Sequence, residues 1–123
     1  PVRIVRAWTI SNAPRPRSWA PGYVPPVDDY AEAIREQLAA EVAPALALHP
    51  ELEVSLEVPH GAAGRELIAA SADAQLVVVG TRGLGGFSGL LLGSVSDEVV
   101  EHARCDVLVV RTRTDGHPEP TGD

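Results

Sequence analysis

The sequence predicts an α/β fold: a parallel sheet with helices on both faces. Three observations predict it. Strand-like and helical segments alternate in the order β-α-β-α-β-α-β, the pattern of a parallel sheet with helices packed over it. Gln75 to Val79 is a continuous apolar run, as expected of a strand buried on both faces. A glycine-rich turn leaves the carboxyl end of that strand, where sheets of this kind bind ligands.

Each element has its own signal. Val2 to Ile10, VRIVRAWTI, alternates apolar and polar residues and reads as a strand. Residues 11–27 carry Pro14, Pro16, Pro21, Pro25 and Pro26 with Gly22, too much proline for a helix interior, so they form a long loop. Asp28 and Asp29 are placed to cap the helix that follows, Tyr30 to about Leu48, where Ile34, Leu38, Val42 and Leu46 recur at helical spacing. His49-Pro50 ends it. Leu52 to Val58 alternates strictly, with Glu51, Glu53 and Glu57 on one solvated face. Pro59-His60-Gly61 turns the chain, and Ala62 to Ala72 is a short helix with Leu67 and Ile68 inward. After the glycine-rich loop, Ser94 is a natural N-cap for a helix from Val95 to Ala103. Asp106 to Val110 is the last strand, and residues 112–123 read as a flexible polar tail.

The 123 residues suggest a single domain, with 45% hydrophobic and 22% charged residues in an ordinary globular balance. Formal net charge is -7, with no run of Lys or Arg to offset it. Broad electrostatic binding to nucleic acid or an anionic membrane is therefore disfavoured. An anion site must be local. No apolar stretch is long enough to span a membrane. Cys105 is the single cysteine, read as a small core residue, and the four histidines, His49, His60, His102 and His117, do not fall at metal-ligand spacings. His60 reads as a turn residue at a strand end, and Trp8 and Trp19 as packing residues flanking the proline-rich loop.

The glycine-rich loop fails two phosphate-binding patterns. No lysine stands between Gly93 and Ser94, so there is no Walker loop. Ser88 occupies the third glycine position of a dinucleotide fingerprint begun at Gly83 and Gly85. A third pattern, G-x2-G-x9-G-[ST], fits at every fixed position: Gly80, Gly83, Gly93 and Ser94. Gly80 and Gly83 let backbone approach a phosphate without a Cβ in the way. Gly93-Ser94 opens a helix whose first N–H groups lack partners and whose dipole favours negative charge. Ser94 and Ser96 add hydroxyl donors, and Arg82 either pairs with a phosphate or faces solvent. Leu90, Leu91 and Leu92 read as packing beneath the loop or at a subunit contact.

This motif, with SVSDEVVEHARCDVLVV after it, resembles the nucleotide-binding end of the universal stress protein family. The resemblance runs from Pro1 to about Arg111 and is strongest from Gln75 onward. It implies an adenine nucleotide alpha hydrolase-like fold with five parallel strands, a cytoplasmic homodimer pairing through the last strand, Asp106 to Val110, and, in one subclass, bound ATP with Mg²⁺. On this resemblance the nucleotide would meet Ala7, Gly80, Arg82, Gly83, Gly93, Ser94, Val95 and Ser96, with the Ala7 backbone against adenine. The family begins with a further strand and helix, and its strands run in the order 3-2-1-4-5. Here the chain opens at what resembles the second strand, and the family's acidic adenine reader has no counterpart. The expectation is that the chain is an incomplete record of a longer polypeptide, or that another segment fills the central slot. The functional expectation is a dimeric, ATP-binding stress sensor or regulator. The alternative is a dimerising module of the same fold that holds no nucleotide. Neither a general base nor a water-positioning residue is evident near the loop, so hydrolysis would at most be slow.

Overall fold

A computed structural model describes residues 1–81 and 92–111. Its elements are β1 (Val2–Val5), a 3-10 turn (Ile10–Asn12), α1 (Val27–Ala47), β2 (Val54–Glu57), α2 (Ala63–Ser71), β3 (Leu76–Gly80), α3 (Ser94–His102) and β4 (Asp106–Val110). The alternation matches the expected α/β order. The strands form two parallel pairs, β1–β2 and β3–β4. The chain divides into two compact units, Pro1–Glu66 and Leu67–Asp123, with the boundary inside α2.

In the first unit β1 and β2 run in register from Val2 opposite Val54 to Val5 opposite Glu57. Regular pairing of β1 ends at Val5, short of the expected Ile10, and resumes only as an isolated bridge between Trp8 and His60. Tyr30, Ile34 and Leu38 recur every fourth residue on α1, so they share one face. With Trp8 and Val58 they make the core, and Ile4, Ala31, Val42 and Leu56 pack against it. Across the strands Arg3 grips Glu57 through two hydrogen bonds of 2.8 and 3.0 Å.

α1 starts three residues earlier than the sequence suggests. Pro26 is the N-cap, at φ -61° and ψ 156°, and no side chain caps the helix. Asp28 and Asp29 are therefore not caps. They lie inside the first turn, where their charges complement the helix dipole, and Asp29 accepts a hydrogen bond from the Ser18 hydroxyl. Within the proline-rich loop an Ala20–Tyr23 bridge closes around Gly22, whose φ of +78° is a conformation that L side chains rarely adopt.

In the second unit β3 and β4 pair from Leu76 opposite Asp106 to Gly80 opposite Val110. Val99 of α3 is fully buried. The expectation that β3 is buried on both faces does not hold. Leu76 and Val78 are 49% and 58% exposed, while Val77 and Val79 are half-buried. Successive side chains of a strand point to opposite faces, and among the described residues only one face of this sheet is covered. Leu108 and Val110 share the open face. Cys105 is also not a core residue. It is half-buried at the entry to β4, with its thiol directed at the Asp106 carbonyl. Leu92 is half-buried; Leu90, Leu91 and the tail 112–123 lie outside the described residues.

Candidate functional site

The last residue of β3, Gly80, and the first turn of α3 come together in the second unit. Two hydrogen bonds join them. The Gly93 N–H donates to the Thr81 carbonyl at 2.5 Å, and the Ser96 hydroxyl donates to the Gly80 carbonyl. The N-cap of α3 is Gly93, not Ser94, with extended backbone at φ -71° and ψ 163° and no side-chain cap. Ser94 is thus the first helical residue. The reason is the Thr81 contact, which holds Gly93 in extended conformation as the chain enters the helix.

The helical ladder begins with the Asp97 N–H on the Gly93 carbonyl, at 2.9 Å. The N–H groups of Ser94, Val95 and Ser96 precede it and have no place in that ladder. They stand at the positive end of the helix dipole, a setting that attracts an anion. Ser94 is exposed and Val95 half-buried. The Asp97 carboxylate, in the same turn and exposed, weakens that attraction. Arg82 and Gly83 lie outside the described residues, as do Gly85 and Ser88.

Ala7 lies in the first unit. Val2, Arg6 and Trp8 donate their N–H groups to the carbonyls of Glu53, Glu57 and Pro59, at 2.7, 2.9 and 3.1 Å. In a parallel pair alternate residues make these bonds. The N–H and C=O of Ala7 are accordingly turned to the other edge of the strand. Among the described residues they have no backbone partner.

Trp8 is the packing residue that the sequence suggests, but the partners it packs on do not follow from the sequence. Trp8 is 2% exposed, donates its indole N–H to the Val58 carbonyl at 2.8 Å, and stacks on both Tyr30 and His60. The sequence signal was the aromatic ending of the first strand with a histidine at the end of the second. Trp19 packs differently, under the Arg15 guanidinium at 3.8 Å from the ring centre. A surface pocket of about 200 Å³ between the proline-rich loop and α1 is lined by Asp29, Glu32 and Glu36 with Arg17, the wrong balance of charge for a phosphate. Among the described residues no group of three His, Cys, Asp or Glu is placed to hold a metal ion, and no helix is long and apolar enough to cross a membrane.

Comparison with known proteins bears on the whole arrangement. Residues 2–111 match the model of the universal stress protein family. A universal stress protein of Mycolicibacterium smegmatis is 38% identical over 96 residues, covering 75% of this chain and 33% of that protein. One from Mycobacterium bovis is 49% identical over 63 residues, covering 51% of this chain and 21% of the relative. The chain thus spans a third or less of the length of these relatives. The solved structure of the hypothetical protein MJ0577 superposes with a TM-score of 0.57 at 18% identity, over 92% of this chain and 76% of that one, which shows a shared fold. On the extent of the family match, the chain belongs to the universal stress protein family.

Proposed function

We propose that this chain binds an adenine nucleotide, ATP first among them, with its phosphates on the N-terminus of α3, and acts as a dimeric stress sensor or regulator. The observation that carries the reading is the set of N–H groups on Ser94, Val95 and Ser96, placed beside the end of β3. Backbone donors of this kind are aimed before a ligand arrives, so little ordering is needed on binding. Gly80 and Gly93 leave the approach to them free of a Cβ. The Ala7 backbone, without a backbone partner among the described residues, is proposed for the base contact that the family resemblance assigns to it. Arg82 and Gly83 complete the motif from the loop. Among the described residues no carboxylate cluster is placed to hold Mg²⁺, and the ion is proposed to arrive on the phosphates.

The dimer is proposed to form through β4. In the β3–β4 ladder the Thr81 N–H meets the Val110 carbonyl, so Val107 and Val109 turn their backbone groups to the outer edge. Among the described residues no strand pairs with that edge, and an open edge of this kind favours addition of another strand. Native mass spectrometry of the protein as purified tests both halves of the proposal. A dimer carrying the added mass of ATP or ADP supports it. A dimer that stays empty after Mg-ATP is added favours the nucleotide-free module.

A further inference from the structure

We infer that Ser96 is a positioning residue of the phosphate site, one whose hydroxyl fixes the backbone donors without itself meeting the phosphate. The inference rests on the nucleotide reading above. Ser96 is 5% exposed, and its hydroxyl proton is given to the Gly80 carbonyl. A serine hydroxyl has one proton. Committed to Gly80, it has none for an anionic oxygen, and the lone pairs it keeps repel one.

The bond has a second consequence. In the register of β3 with β4, Thr81 directs its N–H at Val110. Gly80, one residue earlier, therefore turns its carbonyl away from β4. Ser96 supplies the partner for that half-buried carbonyl. The contact runs from the last residue of β3 to the third residue of α3. Alongside it runs the Gly93 N–H bond to Thr81. Two ties between the same two elements remove the freedom of the helix to pivot about either one. Together they set which way the N–H groups of Ser94 and Val95 point. The two serines of Ser94-Val95-Ser96 then divide the work. Ser94, exposed on the first turn, keeps its hydroxyl for the ligand, and Ser96 holds the turn that presents it.

The test uses the full chain and three variants, Ser96→Ala, Ser96→Thr and Ser94→Ala, with Ser96→Cys in reserve as a near-isosteric weak donor if the alanine variant does not fold. Two readouts are taken: amide exchange of Gly93 in the ligand-free protein, and affinity for ATP and for inorganic triphosphate. Ser96→Ala is expected to speed Gly93 exchange about 10-fold and to weaken both ligands about 10-fold, the order expected for one lost hydrogen bond. Ser96→Thr, which keeps the hydroxyl, should restore both. Ser94→Ala should weaken binding while leaving Gly93 exchange unchanged. If Ser96→Ala weakens binding with Gly93 exchange unaltered, Ser96 is a direct contact and the inference is overturned. It is equally overturned if wild type binds and Ser96→Ala binds as well. A wild-type chain that takes up neither ATP nor triphosphate overturns the nucleotide reading, and this inference with it.

Discussion

The indole of Trp8 and the imidazole of His60 stack with centroids 4.4 Å apart and planes inclined by 22°, while their backbones form a parallel bridge in the same register. Tyr30 stacks on Trp8 as well, at 5.9 Å. Trp8 thus joins both strand ends to α1. Trp8→Ala should destabilise the protein by about 3–5 kcal/mol, the cost of removing a large buried aromatic. Trp8→Phe keeps much of the packing but strands the Val58 carbonyl, now the acceptor of the indole N–H. Its cost should be smaller, about 1–3 kcal/mol. Urea denaturation measures both. Equal losses for the two variants would mean that the hydrogen bond, and not the ring volume, dominates.

Arg6 and Glu41 make a pH prediction. The Arg6 guanidinium donates to the Glu41 carboxylate at 2.6 Å. That hydrogen bond, reinforced by the Arg6 charge and slightly opposed by desolvation, holds the Glu41 carboxyl below its ordinary pKa. A carboxyl whose folded pKa is depressed stabilises the fold above its unfolded pKa, about 4.3 for glutamate. The contribution fades as pH falls through the folded value. An NMR titration should therefore find Glu41 protonating at lower pH than a free glutamate. Arg6→Gln should move the midpoint upward and remove that part of the acid sensitivity. No movement in Arg6→Gln would show that the pair is not formed in solution.

Ser71 ends α2 with no exposed surface. Its hydroxyl donates to the Ile68 carbonyl at 2.6 Å and accepts the Arg104 N–H at 2.9 Å. One small side chain so ties the end of a helix to the turn before β4. Ser71→Ala removes the partner of that N–H and should cost about 1–3 kcal/mol. Hydrogen exchange gives the sharper check, since the Arg104 amide should lose protection in the variant. Unchanged protection at Arg104 would assign the bond no role.

Much of this was readable in the sequence, for identifiable reasons. Asp106–Val110 emerges with the limits expected of it, because an apolar run flanked by polar residues leaves no other register. Ile34 and Leu38 lie in the core as their helical spacing indicates. What escaped depends on distant partners. Trp8 and His60 are far apart in sequence and meet only once β1 and β2 pair. The hydroxyl of Ser96 looks in the sequence like a ligand donor, and only the nearness of Gly80 shows where its proton goes. Ser94 lost the cap position because the Thr81 carbonyl captures the N–H of Gly93. Alternating exposure on β3 follows from what covers the sheet, which the composition of Leu76–Gly80 does not encode.

The phosphate reading has a test that spares the fold. Ser94 is the first residue of α3, the position where proline is best tolerated in a helix, because its missing N–H is outside the ladder. Proline also demands an extended residue before it, and Gly93 already has that conformation at ψ 163°. Ser94→Pro should therefore keep the helix and deprive the site of one backbone donor and one hydroxyl. A hydrogen bond to a charged group contributes about 1.5–3 kcal/mol, so affinity for ATP should fall by roughly 10- to 100-fold. Circular dichroism and the unfolding midpoint should stay near those of the wild type. Retained affinity in a folded Ser94→Pro variant would place the phosphates away from the first turn of α3, and the Gly80–Ser96 contact would then serve the fold alone.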